Sequence, residues 1–148
     1  MTMKIYFIFL LLSFSILSLN AQQWETDFDR AKAVASEKNL PIVLVFQGSD
    51  WCAPCIRLDR EIWATETFRS YAETHFVMLK ADFPRRKQNA LPPAQAEANA
   101  RLAELYNKNG IFPMVVVLDA KGHVKGRAGY ERLSPEDYIK LLESFSHS

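Results

Sequence analysis

The sequence predicts an α/β domain in which a mixed β-sheet of about four strands carries helices on both faces. Ile42–Phe46 is a continuous apolar run rich in β-branched residues, typical of a strand buried on both faces, and Phe76–Asp82 is a second apolar strand. Met114–Leu118 and His123–Arg127 flank a turn that contains Gly122, which predicts a β-hairpin. Helical patterns separate these strands, and a crossover between the first two strands places helices on both sides of the sheet.

The predicted helices are identified by apolar spacing and by capping residues. A surface loop is predicted over residues 83–93 because this stretch combines three prolines with a basic triplet. In chain order, the predicted helices cover Trp24–Asn39 with Thr26 as N-cap, a segment from Cys52 to a break at Thr65–Thr67, a short segment to Thr74, Ala94–Asn109 with Gly110 as a left-handed C-cap, and a last helix that Ser134, Pro135 and Asp137 open.

Composition and charge limit the classes of function. The chain has 148 residues, of which 49% are hydrophobic and 24% charged, and this mixture excludes a disordered or low-complexity protein. The length fits one domain. The formal net charge is +1 and the longest basic run is Arg85–Lys87, so we expect no nucleic acid and no anionic membrane surface as a partner. We interpret the basic run as a solvated turn or a partner-docking site, and we expect a monomer.

Residues 1–21 have the pattern of a secretory signal peptide. Lys4 is the only charged residue among them, and the apolar run Ile5–Leu19 of 15 residues follows it. We expect cleavage after Ala21, so that residues 22–148 form an exported domain, periplasmic or secreted. The apolar run is shorter than the roughly 20 residues that span a bilayer comfortably, and an uncleaved membrane anchor is the alternative. Export places the cysteines where disulfides persist.

Cys52 and Cys55 lie where the first predicted strand has ended and a helix begins. Free backbone N–H groups and the positive end of the helix dipole stabilise an anion there, so we expect the thiol of Cys52 to have a pKa below its usual value of about 8.5. Cys52 is therefore the predicted nucleophile, which attacks a substrate disulfide and forms a mixed disulfide. Cys55, one helical turn on, would resolve this intermediate by attacking Cys52.

Other roles for the cysteine pair are less well supported by the sequence or remain as alternatives. A structural bridge would close a loop of only four residues, and chain-entropy stabilisation increases with loop length. A zinc site needs two more ligands, and the histidines at positions 75, 123 and 147 have no spacing that pairs them. We therefore expect no metal and no bound cofactor. A binding module with a static disulfide and a carrier of a soft metal ion remain alternatives.

Two motifs in the chain resemble those of a known family. The residues GSDWCAPC at 48–55, preceded by the apolar strand PIVLVF at 41–46, resemble the active-site strand and turn of the thioredoxin superfamily. The residues GIFPMVVVLD at 110–119, followed by Lys121 and Gly122, resemble its cis-proline segment and hairpin. The resemblance covers about residues 24–146 and is greatest to exported single-domain proteins. It extends to the C-terminal thioredoxin domain of membrane thiol-electron transporters.

The resemblance implies a thioredoxin fold and thiol-disulfide oxidoreductase activity on protein disulfides. It implies that Pro113 is a cis-proline facing the cysteine pair and that the backbone of Phe112 pairs with an extended substrate segment. Trp51 would form part of the docking surface, with a plain core aromatic as the alternative. The strand before the cysteines would lie between the strand that begins at Phe76 and the strand that begins at Met114. We favour a reductase or isomerase that receives electrons from a membrane-bound thiol donor, because an exported reductant has no local supply.

Two positions depart from the family pattern. Thioredoxins carry a buried acid six residues before the first cysteine, and Phe46 occupies that position here. We expect another group to handle protons, with Asp50 and Glu61 as candidates. Phe112 is bulkier than the Ile, Val or Thr usual before the cis-proline. The two residues between the cysteines do not determine the redox poise, which ranges from about −270 to about −120 mV among relatives.

Overall fold

The structure is a computed structural model that describes residues 22–147. The predicted signal peptide, residues 1–21, lies outside the described residues. Within residues 22–147, no helix is both long enough and apolar enough to cross a bilayer.

Helices and strands follow one another along the described chain in the order that the sequence predicts. A π-helical segment, Asp59–Trp63, joins two of the helices, and a short 3₁₀ turn, Lys87–Asn89, lies in the predicted surface loop. In chain order, the α-helices and β-strands are α1 (Phe28–Lys38), β1 (Ile42–Gln47), α2 (Ala53–Leu58), α3 (Glu66–His75), β2 (Val77–Asp82), α4 (Pro93–Tyr106), β3 (Met114–Leu118), β4 (Val124–Ala128) and α5 (Pro135–Ser146).

The four strands form one mixed sheet in the order β2-β1-β3-β4. Strand β1 pairs with β2 in parallel and with β3 antiparallel, and β3 and β4 form the predicted hairpin. All six residues of β1 are buried, which explains why this strand has no polar alternation in its apolar run. The predicted position of β1 between β2 and β3 is confirmed.

The register of β1 with its neighbours brings three segments of the chain together. Phe46 pairs with Met114, so the end of β1 lies beside the start of β3, immediately after Pro113. Gln47 pairs with Asp82, so the same end of β1 also lies beside the end of β2. The cysteine turn, the Pro113 segment and the loop after β2 therefore meet at one edge of the sheet.

Side chains that alternate along the strands fill a core on each face of the sheet. One core contains residues from α2, α3 and α5 and the π-helical segment, and the other contains residues from α1 and α4. Members of the first core are Val43, Val45, Leu58, Trp63, Phe68, Val115, Val117, Tyr138 and Leu142, and members of the second are Ala31, Ala35, Ile42, Leu44, Phe46, Leu79, Leu102, Val116 and Leu118.

Trp63 is the centre of an aromatic cluster in the first core. Its ring lies edge-on to Phe68 at 4.7 Å, to Tyr138 at 5.4 Å and to Trp24 at 6.0 Å between ring centroids. The residue is only 2% exposed. The π-helical segment that carries Trp63 was not predicted, because its apolar spacing does not distinguish a π-turn from an α-helix.

Two predicted caps are confirmed. The Thr65 hydroxyl accepts a hydrogen bond from the backbone N–H of Phe68 at 3.3 Å, so α3 restarts after the predicted break. The Ser134 hydroxyl accepts from the N–H of Asp137 at 3.1 Å, and Pro135 occupies the first helical position of α5.

The prediction that the first helix begins at Trp24 with Thr26 as N-cap is wrong. The backbone of Glu25 instead pairs with β2, since its N–H donates to Met78 at 2.8 Å and its carbonyl accepts from Lys80 at 2.9 Å. The helix begins at Phe28, and Asp27 is its N-cap. Backbone pairing with a distant strand therefore overrides the local helical pattern.

The prediction that α4 reaches Asn109 and ends in a Gly110 cap is also wrong. The helix ends at Tyr106, because the buried Asn107 side chain forms two hydrogen bonds with the backbone of Ile111. Its amide N–H donates to the Ile111 carbonyl at 2.8 Å, and its carbonyl oxygen accepts from the Ile111 N–H at 2.9 Å. Gly110 has a φ of +61° and lies in the turn after the helix.

Candidate active site

The Cys52–Cys55 pair forms a disulfide at the start of α2. Cys52 is the N-cap of this helix, and its Sγ accepts a hydrogen bond from the backbone N–H of Cys55 at 3.3 Å. Both residues are nearly buried, with 5% of Cys52 and 3% of Cys55 exposed. The prediction that the pair lies at a strand-to-helix junction is confirmed.

The peptide bond between Phe112 and Pro113 is cis. Pro113 is buried and directly precedes β3, whose first residue, Met114, pairs with the last part of β1. Phe112 is half-buried. The cis geometry that the resemblance implies is thus present, at the edge of the sheet that carries the cysteines.

Trp51 connects the cysteine turn to the loop that follows β2. Its indole N–H donates to the carbonyl of Phe83 at 2.7 Å, and its ring lies edge-on to Phe112 at 5.5 Å. A side chain at Gly48 would place its Cβ 2.2 Å from the indole, so this position requires glycine for the ring to pack where it does. Trp51 is half-buried.

Asp50 does not fit the proton-handling role that we considered for it. Its carboxylate accepts hydrogen bonds from the backbone N–H of Arg85 at 2.9 Å, the N–H of Arg86 at 3.0 Å and the side-chain amide of Asn89 at 3.0 Å. These bonds, led by the one from Arg85, lower the pKa of Asp50 to about 2. The carboxylate therefore stays ionised near neutral pH and anchors the loop.

Phe46 and Glu61, the other two positions considered for proton transfer, have different surroundings. Phe46 is fully buried and stacks on Phe83 at 6.5 Å between ring centroids, so the position of the family's acid is apolar. Glu61 accepts a hydrogen bond from the Tyr130 hydroxyl at 2.7 Å, and this bond raises the pKa of Tyr130. A proton role for Glu61 stays a prediction.

Residues 22–147 contain no group of three or more His, Cys, Asp or Glu side chains arranged to hold a metal ion. The His75 ring stacks on Tyr71 at 3.8 Å, and the His123 ring bonds to Asp119 at 2.9 Å.

Arg85 is a part of the site that sequence reasoning did not identify by itself. Its guanidinium lies over the Trp51 ring at 3.6 Å from the ring centroid. The signal in the sequence was the basic run 85–87, which by itself does not distinguish a solvated turn from a docking site. The stacking depends on a contact between residues 34 positions apart in the chain, which no local pattern predicts.

A sequence model of the family described as thioredoxin-like matches residues 23–120. The chain belongs to the thioredoxin-like family. A curated relative, the disulfide bond reductase DsbH of Chlamydia pneumoniae, is 34% identical over 122 residues, which cover 82% of this chain and 71% of that protein.

Solved structures agree with this assignment. A structure described as DsbH oxidoreductase superposes with a TM-score of 0.77 at 33% identity, covering 84% of each chain. A disulphide isomerase from Xylella fastidiosa Temecula1 superposes with a TM-score of 0.58 at 21% identity, covering 79% of this chain and 86% of that one, and it shows the fold alone. This member of the family, with its Cys52–Cys55 pair, is a thiol-disulfide oxidoreductase with a thioredoxin fold.

We predict that the Asp50 carboxyl titrates with a midpoint near 2 in the folded protein, below the ordinary value of 3.8. Because the folded-state pKa is the lower one, its stabilising contribution is present above about pH 4 and is lost as the pH falls through about 2. Carboxyl ¹³C NMR across this range measures the midpoint, and the amide signals of Arg85 and Arg86 should shift with it. A carboxyl midpoint near 3.8, or amide signals that ignore the titration, would contradict the anchoring role.

Proposed function

We propose that this protein is an exported reductase of protein disulfides in which Cys52 attacks and Cys55 resolves. The observation that carries the proposal is the hydrogen bond from the Cys55 N–H to Cys52 Sγ at the start of α2. In the dithiol state, this N–H and the helix N-terminus stabilise a Cys52 thiolate, which is the form that attacks a disulfide. The sequence identity of 34% to a disulfide bond reductase supports reduction as the direction of the reaction.

The reaction proceeds through two exchanges. The Cys52 thiolate attacks one sulfur of the substrate disulfide, and the other sulfur leaves as a thiolate that takes up a proton. Cys55 then loses its proton and attacks Cys52 Sγ, which releases the second substrate sulfur as a thiolate and closes the Cys52–Cys55 disulfide. The substrate gains two electrons and the enzyme dithiol loses two.

The substrate groove lies between the cysteine turn and the start of β3. The β1–β3 ladder begins at the pair Phe46 and Met114, so the backbone of Phe112 lies just beyond it and can pair with an extended substrate segment. Pro113 then defines one wall near the cysteines, and Trp51, edge-on to Phe112, defines the other.

Each turnover leaves the enzyme oxidised, so a dithiol donor must return two electrons. For an exported protein we propose a membrane-bound thiol donor that attacks the Cys52–Cys55 disulfide by the same exchange. The signal peptide over residues 1–21, cleaved after Ala21, belongs to this proposal, because it delivers the domain to the compartment of the donor.

Replacing the two cysteines separately should separate their roles. Cys52→Ser removes the attacking sulfur and should lower disulfide reductase activity by about 10³-fold or more. In Cys55→Ser, Cys52 can still attack the substrate, but no second thiol resolves the mixed disulfide. This intermediate should therefore accumulate and be visible by non-reducing electrophoresis and mass spectrometry. Each variant is compared with the unmodified protein reduced in the same way.

Two outcomes would contradict this division of roles. A Cys52→Ser protein with full reductase activity would exclude Cys52 as the nucleophile. A protein with both cysteines replaced by Ala that retained all of its cellular function would favour a binding module with a static disulfide.

Export and cleavage predict that the mature protein begins at Gln22. N-terminal sequencing of the protein recovered outside the cytoplasm tests this directly. A retained Met1 in a membrane fraction would indicate the uncleaved anchor instead.

A further inference from the structure

A basic loop lies beside the cysteine turn, and we propose that it selects protein substrates with an acidic side chain close to the reactive disulfide. The loop, here called the basic rim, comprises Arg85, Arg86 and Lys87. Arg85 is its specificity-determining residue. This inference rests on the proposed function and adds a substrate class to it.

The basic rim is held against the active site by its backbone. The Asp50 carboxylate, two residues before Cys52, accepts from the backbone N–H groups of Arg85 and Arg86. At the start of the same loop, the Asp82 carboxylate accepts from the N–H of Ser49 at 3.0 Å and from its hydroxyl at 2.6 Å. Since the bonds from the rim to Asp50 use only its main chain, the side chains of the rim remain available for other contacts.

The Arg85 guanidinium occupies a defined position beside the substrate groove. It stacks on the Trp51 ring at 3.6 Å from the centroid, and Trp51 directly precedes Cys52. A shallow cleft at this place is lined by Trp51, Phe83, Pro84, Arg85, Gly110 and Phe112. It therefore runs from the cis-proline segment, past the tryptophan, to the guanidinium.

The positive charge of the basic rim is not neutralised by ion pairs with carboxylates. Along the helices of the described chain, exposed cations such as Arg69 and Arg101 pair with a carboxylate one turn away. No such ion pair within residues 22–147 involves a side chain of the rim. The Asp50 and Asp82 carboxylates accept from backbone N–H groups, and Asp50 also interacts electrostatically with Arg86, so the three cations of the rim and these two carboxylates leave a net positive charge.

An extended substrate segment fits this arrangement by charge. With its disulfide at Cys52 and its backbone along Phe112, the segment passes the Trp51 ring, and an Asp or Glu side chain near the cysteine reaches Arg85. A guanidinium stacked on a ring still presents donors in its plane, which suits bidentate binding of a carboxylate. The occupant to which we commit is therefore an acidic segment of a substrate protein.

The test compares two disulfide-bridged peptides that are identical except for Glu or Gln at the positions flanking one cysteine. The purified protein, reduced to the dithiol, is mixed with each peptide, and the second-order rate constant of reduction is measured at low and high salt. We expect the Glu peptide to react about three- to fivefold faster at low ionic strength, and salt to reduce the difference.

Variants assign the preference to the rim. Arg85→Gln with Arg86→Gln should reduce the Glu-to-Gln rate ratio to below about twofold, while the backbone anchors to Asp50 persist because they do not involve these side chains. Arg85→Lys keeps the charge without the planar fork and should retain part of the ratio. Lys38→Gln is the matched control, since this exposed residue ends α1 at the opposite edge of the sheet, and it should keep the full ratio.

The outcomes distinguish this inference from the function on which it rests. Reduction of both peptides at equal rates would overturn the acidic preference and leave the reductase intact. A preference that persists in the double arginine variant would overturn the role of the rim. Reduction of neither peptide would overturn the proposed function and the inference together.

Discussion

The pairing of β1 with a neighbour on each side is the constraint on which the site depends. The strand is buried along its whole length, and its registers with β2 and β3 leave little freedom to shift, since a slip of one residue would exchange the side chains that fill the two cores. Because β2 runs parallel and β3 antiparallel to it, the end of β1 meets the end of one and the beginning of the other. The cysteines, the cis-proline and the basic rim are thereby positioned by the same backbone hydrogen bonds.

The surroundings of the cysteine turn differ in chemistry from the pattern typical of thioredoxins. The position of the buried acid carries Phe46, which packs on Phe83, and Phe83 in turn packs edge-on to Phe112 at 5.5 Å. An aromatic layer thus lies where a carboxylate would serve proton transfer. Asp50, the acid nearest to Cys52 in sequence, accepts hydrogen bonds from backbone N–H groups of the loop after β2 and so stabilises that loop beside the cysteine turn.

The sequence was informative where local physics decides the structure, and less so where distant contacts do. The buried strands, the caps at Thr65 and Ser134 and the cysteine pair at a helix start follow from hydrophobic pattern and hydrogen-bonding chemistry within a few residues. The extended conformation at Glu25 depends on β2, more than 50 positions away, and the role of Asp50 depends on backbone N–H groups of a loop. Neither contact can be recognised from the neighbouring sequence, so the local pattern predicts a helix at Glu25 and makes Asp50 a candidate for proton handling.

The most direct test of the central claim, that Cys52 and Cys55 cycle as a reducing dithiol, is the reduction potential of the pair, measured by equilibration with dithiothreitol and glutathione buffers. A disulfide reductase that receives electrons from a thiol donor should have a potential of about −270 mV, similar to that of thioredoxin. A potential of about −120 mV would identify an oxidant and contradict the direction proposed here. A pair that stayed oxidised in every buffer would contradict the claim that it cycles at all.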